Sequence, residues 1–596
     1  MQAGIPDRTG ATASKQNLVL DFALIDPPFT MKEETRVCQN CQASFLIDAA
    51  DFAFYDKISV PPPTFCPSCR FQRRLSFMNE RVLYKRTCDM CEKIIVAMYP
   101  ADSPLTVYCN SCWWSDKWDP LTYGREYDPS RSFFEQLKDL IYGTPQPALW
   151  NDYPTLINSD YVNHSATAKN CYLIFSSDYC ENVLYSSILL RNKDMMDSLM
   201  MAESELCYFD IGCGRSYMTH FSEDCRDCRN VYFSKECVNC SDCFGCINLK
   251  NKNYYIFNQP YTREEYEKKV KEFAIHRWDG LQKAREQSLA FWRTQPHKYM
   301  HDRHNERVAG DYIYFSKNIS YGFIVRTAED LKYCQIITMP TTKDCYDLTL
   351  WGNGAEQVYE GMIVGAGANL VKFSLTCWSQ VMNVEYSFWT MASSYMFGCA
   401  NIRQREYCIL NKQYTKDEFH RLRERIIADM NERPFTDKGG RVYRYGEFLP
   451  PYLSLFSYNE SYAMDFFPLT EQEARERGFE WRKLPPPSQT PTLRGDLIPD
   501  NILETPDSIT KEILECIDCK KPFLIVPAEL VLLRRFGFPV SRRCFNCRYR
   551  ERMFRLNPPI LWDRVCAKCG ATIKTSYAPD RPEIVYCEQC YQAEVI

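Results

Sequence analysis

Histidine is scarce in this chain, with seven among 596 residues. A catalytic zinc centre usually takes histidine or carboxylate ligands and keeps one coordination position open, so the scarcity argues against one. Long apolar runs are missing too. No stretch approaches the roughly 18 apolar residues that cross a bilayer. The opening MQAGIPDRTGATASKQ has no basic segment followed by an apolar one. Phosphate loops, the dinucleotide-binding glycine fingerprint, the nucleophile elbow and HExxH are all lacking. These gaps set aside membrane spanning and the common motif-bearing enzyme classes, and they make a cytoplasmic location the expectation. Thiols stay reduced there, so cysteines read as metal ligands and packing groups, not disulfides.

Cysteine is what the chain has in abundance, 31 in all. Eight CxxC pairs stand in two sets of four. Cys38, Cys41, Cys66, Cys69, Cys88, Cys91, Cys109 and Cys112 reappear 478 residues later as Cys516, Cys519, Cys544, Cys547, Cys566, Cys569, Cys587 and Cys590. Two CxxC knuckles offer four soft thiolates to one ion, and zinc is the usual occupant. Four structural zinc ions are therefore expected. Sequential pairing of the knuckles is the first choice, and a cross-braced pairing, first with third and second with fourth, stays open. Each four-thiolate centre adds a net charge of −2, so four centres take the formal −4 to −12. That sum excludes a uniformly basic coat but not a local basic patch.

The modules share more than cysteine. Phe45-Leu46-Ile47 follows Cys41 as Phe523-Leu524-Ile525 follows Cys519, and Arg70 and Arg74 correspond to Arg548 and Arg552. In the second halves Tyr99, Asp102, Pro104 and Tyr108 match Tyr577, Asp580, Pro582 and Tyr586. Knuckle, short strand, second knuckle and basic helix resemble the zinc-ribbon (treble-clef-like) family of bacteria. That resemblance implies a fold and a metal but no reaction.

A second regularity fills the middle. In steps of twelve, one column reads Cys171, Val183, Met195, Cys207, Thr219, Val231, Cys243, Tyr255. A column six residues on reads Ser177, Leu189, Met201, Cys213, Cys225, Cys237, Leu249. The column before the first holds Asn170, Asn182, Asp194, Asn230 and Asp242, residues that tolerate left-handed corners. Such columns mark stacked β-solenoid coils with the apolar columns inward. An antiparallel sandwich is the other fold this spacing allows. The pattern returns more loosely from Tyr321 through Tyr333, Tyr346 and Tyr359 to Cys408, and MFGCANI near the end of the second array matches CFGCINL of the first. Each array runs into a helix with a capping box, Thr262 with Glu265 and Thr415 with Glu418.

The expected fold is mainly β: two twelve-residue-repeat β-solenoid arrays with capping helices between double-zinc modules. The expected divisions are an N-terminal arm (1–35), zinc module 1 (36–118), a helical connector (119–160), array 1 (161–261), a helical cap (262–310), array 2 (311–414), a capping helix (415–432), a Pro-rich linker region (433–507) and zinc module 2 (508–596). The arrangement resembles a set of uncharacterised bacterial proteins with zinc-ribbon modules around a Tyr/Cys/Asn-rich repeat region, and no activity comes with that likeness.

Functionally, the sequence points to a non-enzymatic zinc-binding scaffold. RNA or a ribonucleoprotein is the expected partner, or else another protein. The motive is a run of eight arginines, Arg534, Arg535, Arg542, Arg543, Arg548, Arg550, Arg552 and Arg555, against the single acid Glu551. Guanidinium clusters suit phosphate, and Tyr549 and Phe545 are placed to stack on bases. The bland alternative is a solvated face offsetting thiolate charge. An alternative enzyme reading, polysaccharide cleavage along the solenoid, would need paired carboxylates, and Asp197 with Asp210 is the candidate pair. Another is thiol or metal handling by the CxxC spacings at Cys225, Cys237 and Cys243.

Overall fold

The computed structural model describes residues 33–595 apart from 338–340, 353 and 488, so almost all of the N-terminal arm lies outside the described residues. The chain is mainly β, with long parallel sheets, and has four-cysteine clusters at both ends. Among the described residues no helix is long and apolar enough to cross a membrane.

Sheet register follows the sequence repeat. Strand Phe175–Leu184 pairs in parallel with Ser187–Met196, Phe175 opposite Ser187 and Val183 opposite Met195. Farther on, Tyr217–His220, Arg229–Tyr232, Ser241–Phe244 and Asn253–Ile256 stand side by side in the same twelve-residue register. In the second array an eleven-stranded sheet repeats the theme with looser steps. Lys317 faces Glu329, Ala328 faces Thr342, Thr349 faces Met362, and Phe388 faces Ala400.

Backbone conformation explains why ordinary strand patterning is hard to see. In the first array every third residue has a left-handed φ near +50°, including Asn170, Leu173, Ser176, Tyr179, Asn182 and Tyr185. A non-glycine residue there costs about 1–2 kcal/mol. Each is held by a backbone bond to the neighbouring repeat, such as Asn170 N–H to Ile157 O and Tyr185 N–H to Tyr172 O, both within 3.0 Å. Up to Cys246 the residue after each left-handed position is buried in one narrow core; beyond it Lys252 is exposed. Four columns fill this core, beginning at Cys171, Ile174, Ser177 and Cys180. Two of these are the columns read from sequence, buried from Cys171 to Cys243 and from Ser177 to Cys237, with Tyr255 and Leu249 part-buried at the end.

The other two columns are largely polar. Ser186, Ser198, Asp210, Ser222 and Ser234 are buried one above another, and each accepts the backbone N–H of the next. Buried polar groups are tolerated when so paired.

Both capping helices form, Arg263–Glu272 and Lys416–Glu432, each with its capping box. Phe273 stacks 4.2 Å from Phe244 at the end of array 1, and buried Phe419 packs on Tyr407 of array 2. The helix Phe133–Gly143 falls inside the expected helical connector, and a capped helix, Glu471–Glu476, lies within the linker region. Residues 433–507 do more than link. Phe448, Leu449, Leu453, Tyr458 and Tyr462 lie in the largest apolar core beside the first module, because aromatic side chains of this size must be buried somewhere.

Candidate metal centres and their docking faces

Each module folds around two clusters of four sulfurs. Cys38, Cys41, Cys66 and Cys69 come together, as do Cys88, Cys91, Cys109 and Cys112. The C-terminal module gathers Cys516, Cys519, Cys544 and Cys547, then Cys566, Cys569, Cys587 and Cys590. Pairing is thus sequential, not cross-braced. Within the clusters Sγ–Sγ separations are 3.7 Å for Cys41–Cys66 and Cys519–Cys544, and 3.8 Å for Cys91–Cys109 and Cys569–Cys587. Sulfurs about 2.3 Å from one tetrahedral ion stand about 3.8 Å apart, so these sets fit one ion each.

Local sequence builds the four sites alike. The first knuckle ends a short strand, and the second opens a helix whose N-cap is itself a ligand: Cys66 before Pro67–Leu75, Cys109 before Asn110–Trp113, and Cys544 before Phe545–Arg555. A helix N-terminus favours the thiolate form. In every cluster the third cysteine donates its backbone N–H to the first sulfur, at 3.2–3.3 Å. These donors fix the sulfurs from outside the coordination shell.

The eight arginines divide by burial: Arg534, Arg535 and Arg550 are exposed, Arg542, Arg543 and Arg555 half-buried, and two are buried. Arg548 and Arg552 are interior. Arg548 Nε lies 2.9 Å from Asp197 Oδ2 and its Nη2 3.2 Å from Glu529. Arg552 Nη1 lies 2.9 Å from Asp197 Oδ1, and its Nη2 donates to Tyr185 O. The physical reason is electrostatic. Asp197 is wholly buried in array 1, and an unpaired charge there would be very costly. Five of the remaining six are matched to acids: Arg534 to Asp507, Arg535 to Asp194, Arg542 to Asp500, Arg543 to Asp518 and Glu551, and Arg555 to Glu223. Arg550 is exposed. Tyr549 is buried under Arg81, and the half-buried Phe545 stacks on Tyr185.

The same joint exists at the other end. Arg70 Nη2 sits 2.8 Å from Asp347 Oδ2, and Arg74 Nη1 sits 3.3 Å from Asp347 Oδ1, all three side chains buried. Arg70 and Arg74 are the 478-residue counterparts of Arg548 and Arg552. Asp347 stands 150 residues after Asp197, close to the 153 residues that separate MFGCANI (396–402) from CFGCINL (243–249). Even a minor contact is kept, since Arg70 donates to Phe65 O and Arg548 to Arg543 O, at 2.9 and 3.1 Å. Each module's knuckle helix therefore grips an array far from it in sequence: the N-terminal module array 2, the C-terminal module array 1. The ribbons bridge elsewhere. Val107–Tyr108 pairs with Gln146–Pro147 just before array 1, and Ile584–Tyr586 pairs with Pro296–Lys298 just before array 2.

The carboxylate pair considered for glycoside cleavage is not a catalytic pair. Asp197 is consumed by Arg548 and Arg552, while Asp210 lies inside array 1, bonded to Ser222 N–H and Thr219. Burial pushes the Asp210 carboxyl up to about 8. Nor do the array cysteines make a further metal site. Among the described residues no three of their sulfurs lie within 4.8 Å of one another. Burial raises the thiol of Cys171 to about 11 and that of Cys377 to about 12, while hydrogen bonds from neighbouring thiols hold Cys225 and Cys240 below the usual value.

No family model matches the chain, and no match is found among curated proteins or solved structures.

Proposed function

We propose that the protein is a non-enzymatic scaffold in which four structural zinc ions hold two modules that fasten two β-solenoid arrays into one body. Three-residue sides, left-handed corners and a twelve-residue parallel register support the solenoid reading. The four-thiolate sets support zinc, because sulfur donors in tetrahedral number suit it and leave no open position for substrate. The observation that carries the reading is the repeated joint, two knuckle-helix arginines closing on one buried array aspartate at both ends.

With Arg548 and Arg552 buried and five more of the run's arginines paired to acids, the surface we favour for a partner is the outer face of the arrays. Tyr179, Tyr217, Phe315 and Tyr321 are exposed there, and such aromatic residues are enriched at protein interfaces. A protein partner follows more readily than RNA. Cobalt substitution tests the metal assignment. Four ions per chain with thiolate-to-cobalt charge-transfer absorption are expected, and two or fewer would overturn it. Tight nucleic-acid binding that falls steeply with salt would restore the basic-module reading.

A further inference from the structure

Array 1 alternates charge along its outer columns. Lys169 pairs with Glu181, Arg215 with Asp227, and Lys235 with Glu223, each twelve residues apart. One stack breaks the rule. Asp224 lies a repeat before Glu236, like charge beside like charge, and both face His301 at the entry to array 2. Like charges in adjacent strands destabilise a sheet unless something neutralises them. Of the neighbouring cations, Lys235 and Arg555 both pair with Glu223, and Arg326, which also faces Asp224, donates to Met200 O.

Distances add to the anomaly. His301 Nε2 is 3.8 Å from Asp224 Oδ2 and 3.9 Å from Glu236 Oε1. A direct charge-assisted hydrogen bond would close to about 2.7–2.9 Å. Nitrogen and oxygen ligands about 2.0–2.2 Å from a common ion stand about 3–4 Å apart, as these do. The other ring nitrogen, Nδ1, is 3.0 Å from Asp311, whose carboxylate also accepts the His301 and Tyr312 backbone N–H groups. A carboxylate at the second nitrogen is the support that metal-ligating histidines usually have. Asp224 Oδ1 is shut off from solvent and makes no hydrogen bond. The other half of the molecule does without this arrangement. The matching ribbon pairings, Val107 with Gln146 and Val585 with His297, put Trp150 at the place of His301; its backbone N–H is likewise held by a side chain, Asn163, but its ring offers no metal ligand.

We propose that His301 Nε2, Asp224 and Glu236 bind one divalent cation that ties array 1 to the start of array 2. The Tyr577 hydroxyl, 3.2 Å from Nε2, brings the C-terminal ribbon to the same point. Glu236, the most exposed of the three ligands with 24% of its side chain accessible, gives the ion its way in.

Metal analysis of zinc-saturated protein tests this. Wild type should hold one more ion per chain than Glu236→Gln or Asp224→Asn, with at least a tenfold loss of affinity at that site, while the thiolate charge-transfer count by cobalt is the same in all three. Equal metal content in wild type and Glu236→Gln, a partly exposed site that should fold normally, would overturn the proposal. A low thiolate count would instead speak against the four-cysteine assignment.

Discussion

At the scale of single residues, the module arginines are structural charges. Asp197 and Asp347 each sit between two guanidinium groups with no access to water. Removing one partner of a buried ion pair leaves the other uncompensated, at about 3–5 kcal/mol. Asp197→Asn and Asp347→Asn should therefore each lower denaturant stability by about that amount, and Arg550→Ala by almost nothing. His220 makes a second point. It is buried against Tyr232, Phe536 and Phe538, and burial lowers its pKa to about 3. Its unfolded value is about 6.5, so between those values the unfolded chain binds the extra proton. Stability is full above about pH 6.5 and is lost as pH falls through the window, on the order of 4 kcal/mol by its foot. A His220→Phe variant should show a shallower acid limb in urea titrations at pH 4–6. Sequence revealed every four-cysteine ligand, because ligand spacing is local. It could not reveal that Arg548 and Arg552 point inward, since their partner Asp197 lies about 350 residues away and only packing brings them together.

At the scale of elements, array 1 depends on its four inner columns. Val231 is fully buried in one of them, and Val231→Asp places an unpaired charge where nothing can solvate it. A loss of several kcal/mol is expected in denaturant unfolding. Cys207, Cys213, Cys225 and Cys243 are likewise fully buried. They should resist iodoacetamide in the native protein and react on unfolding. Rapid native labelling would mean the register is wrong. The repeat was legible from the columns of Cys171 and Ser177, which are apolar enough to see. The column of Ser186, Ser198, Asp210, Ser222 and Ser234 looks like surface in sequence and is interior in fact, because its side chains accept backbone N–H groups within the core. Both capping helices were legible because a capping box is a four-residue signal.

At the scale of the whole molecule, each module grips an array remote from it in sequence, while its ribbon pairs with the segment leading into the other array. The 478-residue offset exposed the duplication of the modules, but nothing local in sequence specifies this crossed docking. It follows from matching outer aromatic columns such as Tyr208 and Phe221 to apolar module residues such as Phe538. The two halves should therefore not be independent. Metal loss from the modules should loosen the array faces they cover, since metal binding is folding energy for such small domains. Hydrogen exchange of the protein before and after complete metal removal by a chelator tests this most directly. The account predicts lost protection in the helices Pro67–Leu75 and Phe545–Arg555, and also at Tyr185, Asp197 and Asp347 beneath them. Unchanged protection of both helices in metal-free protein would contradict it.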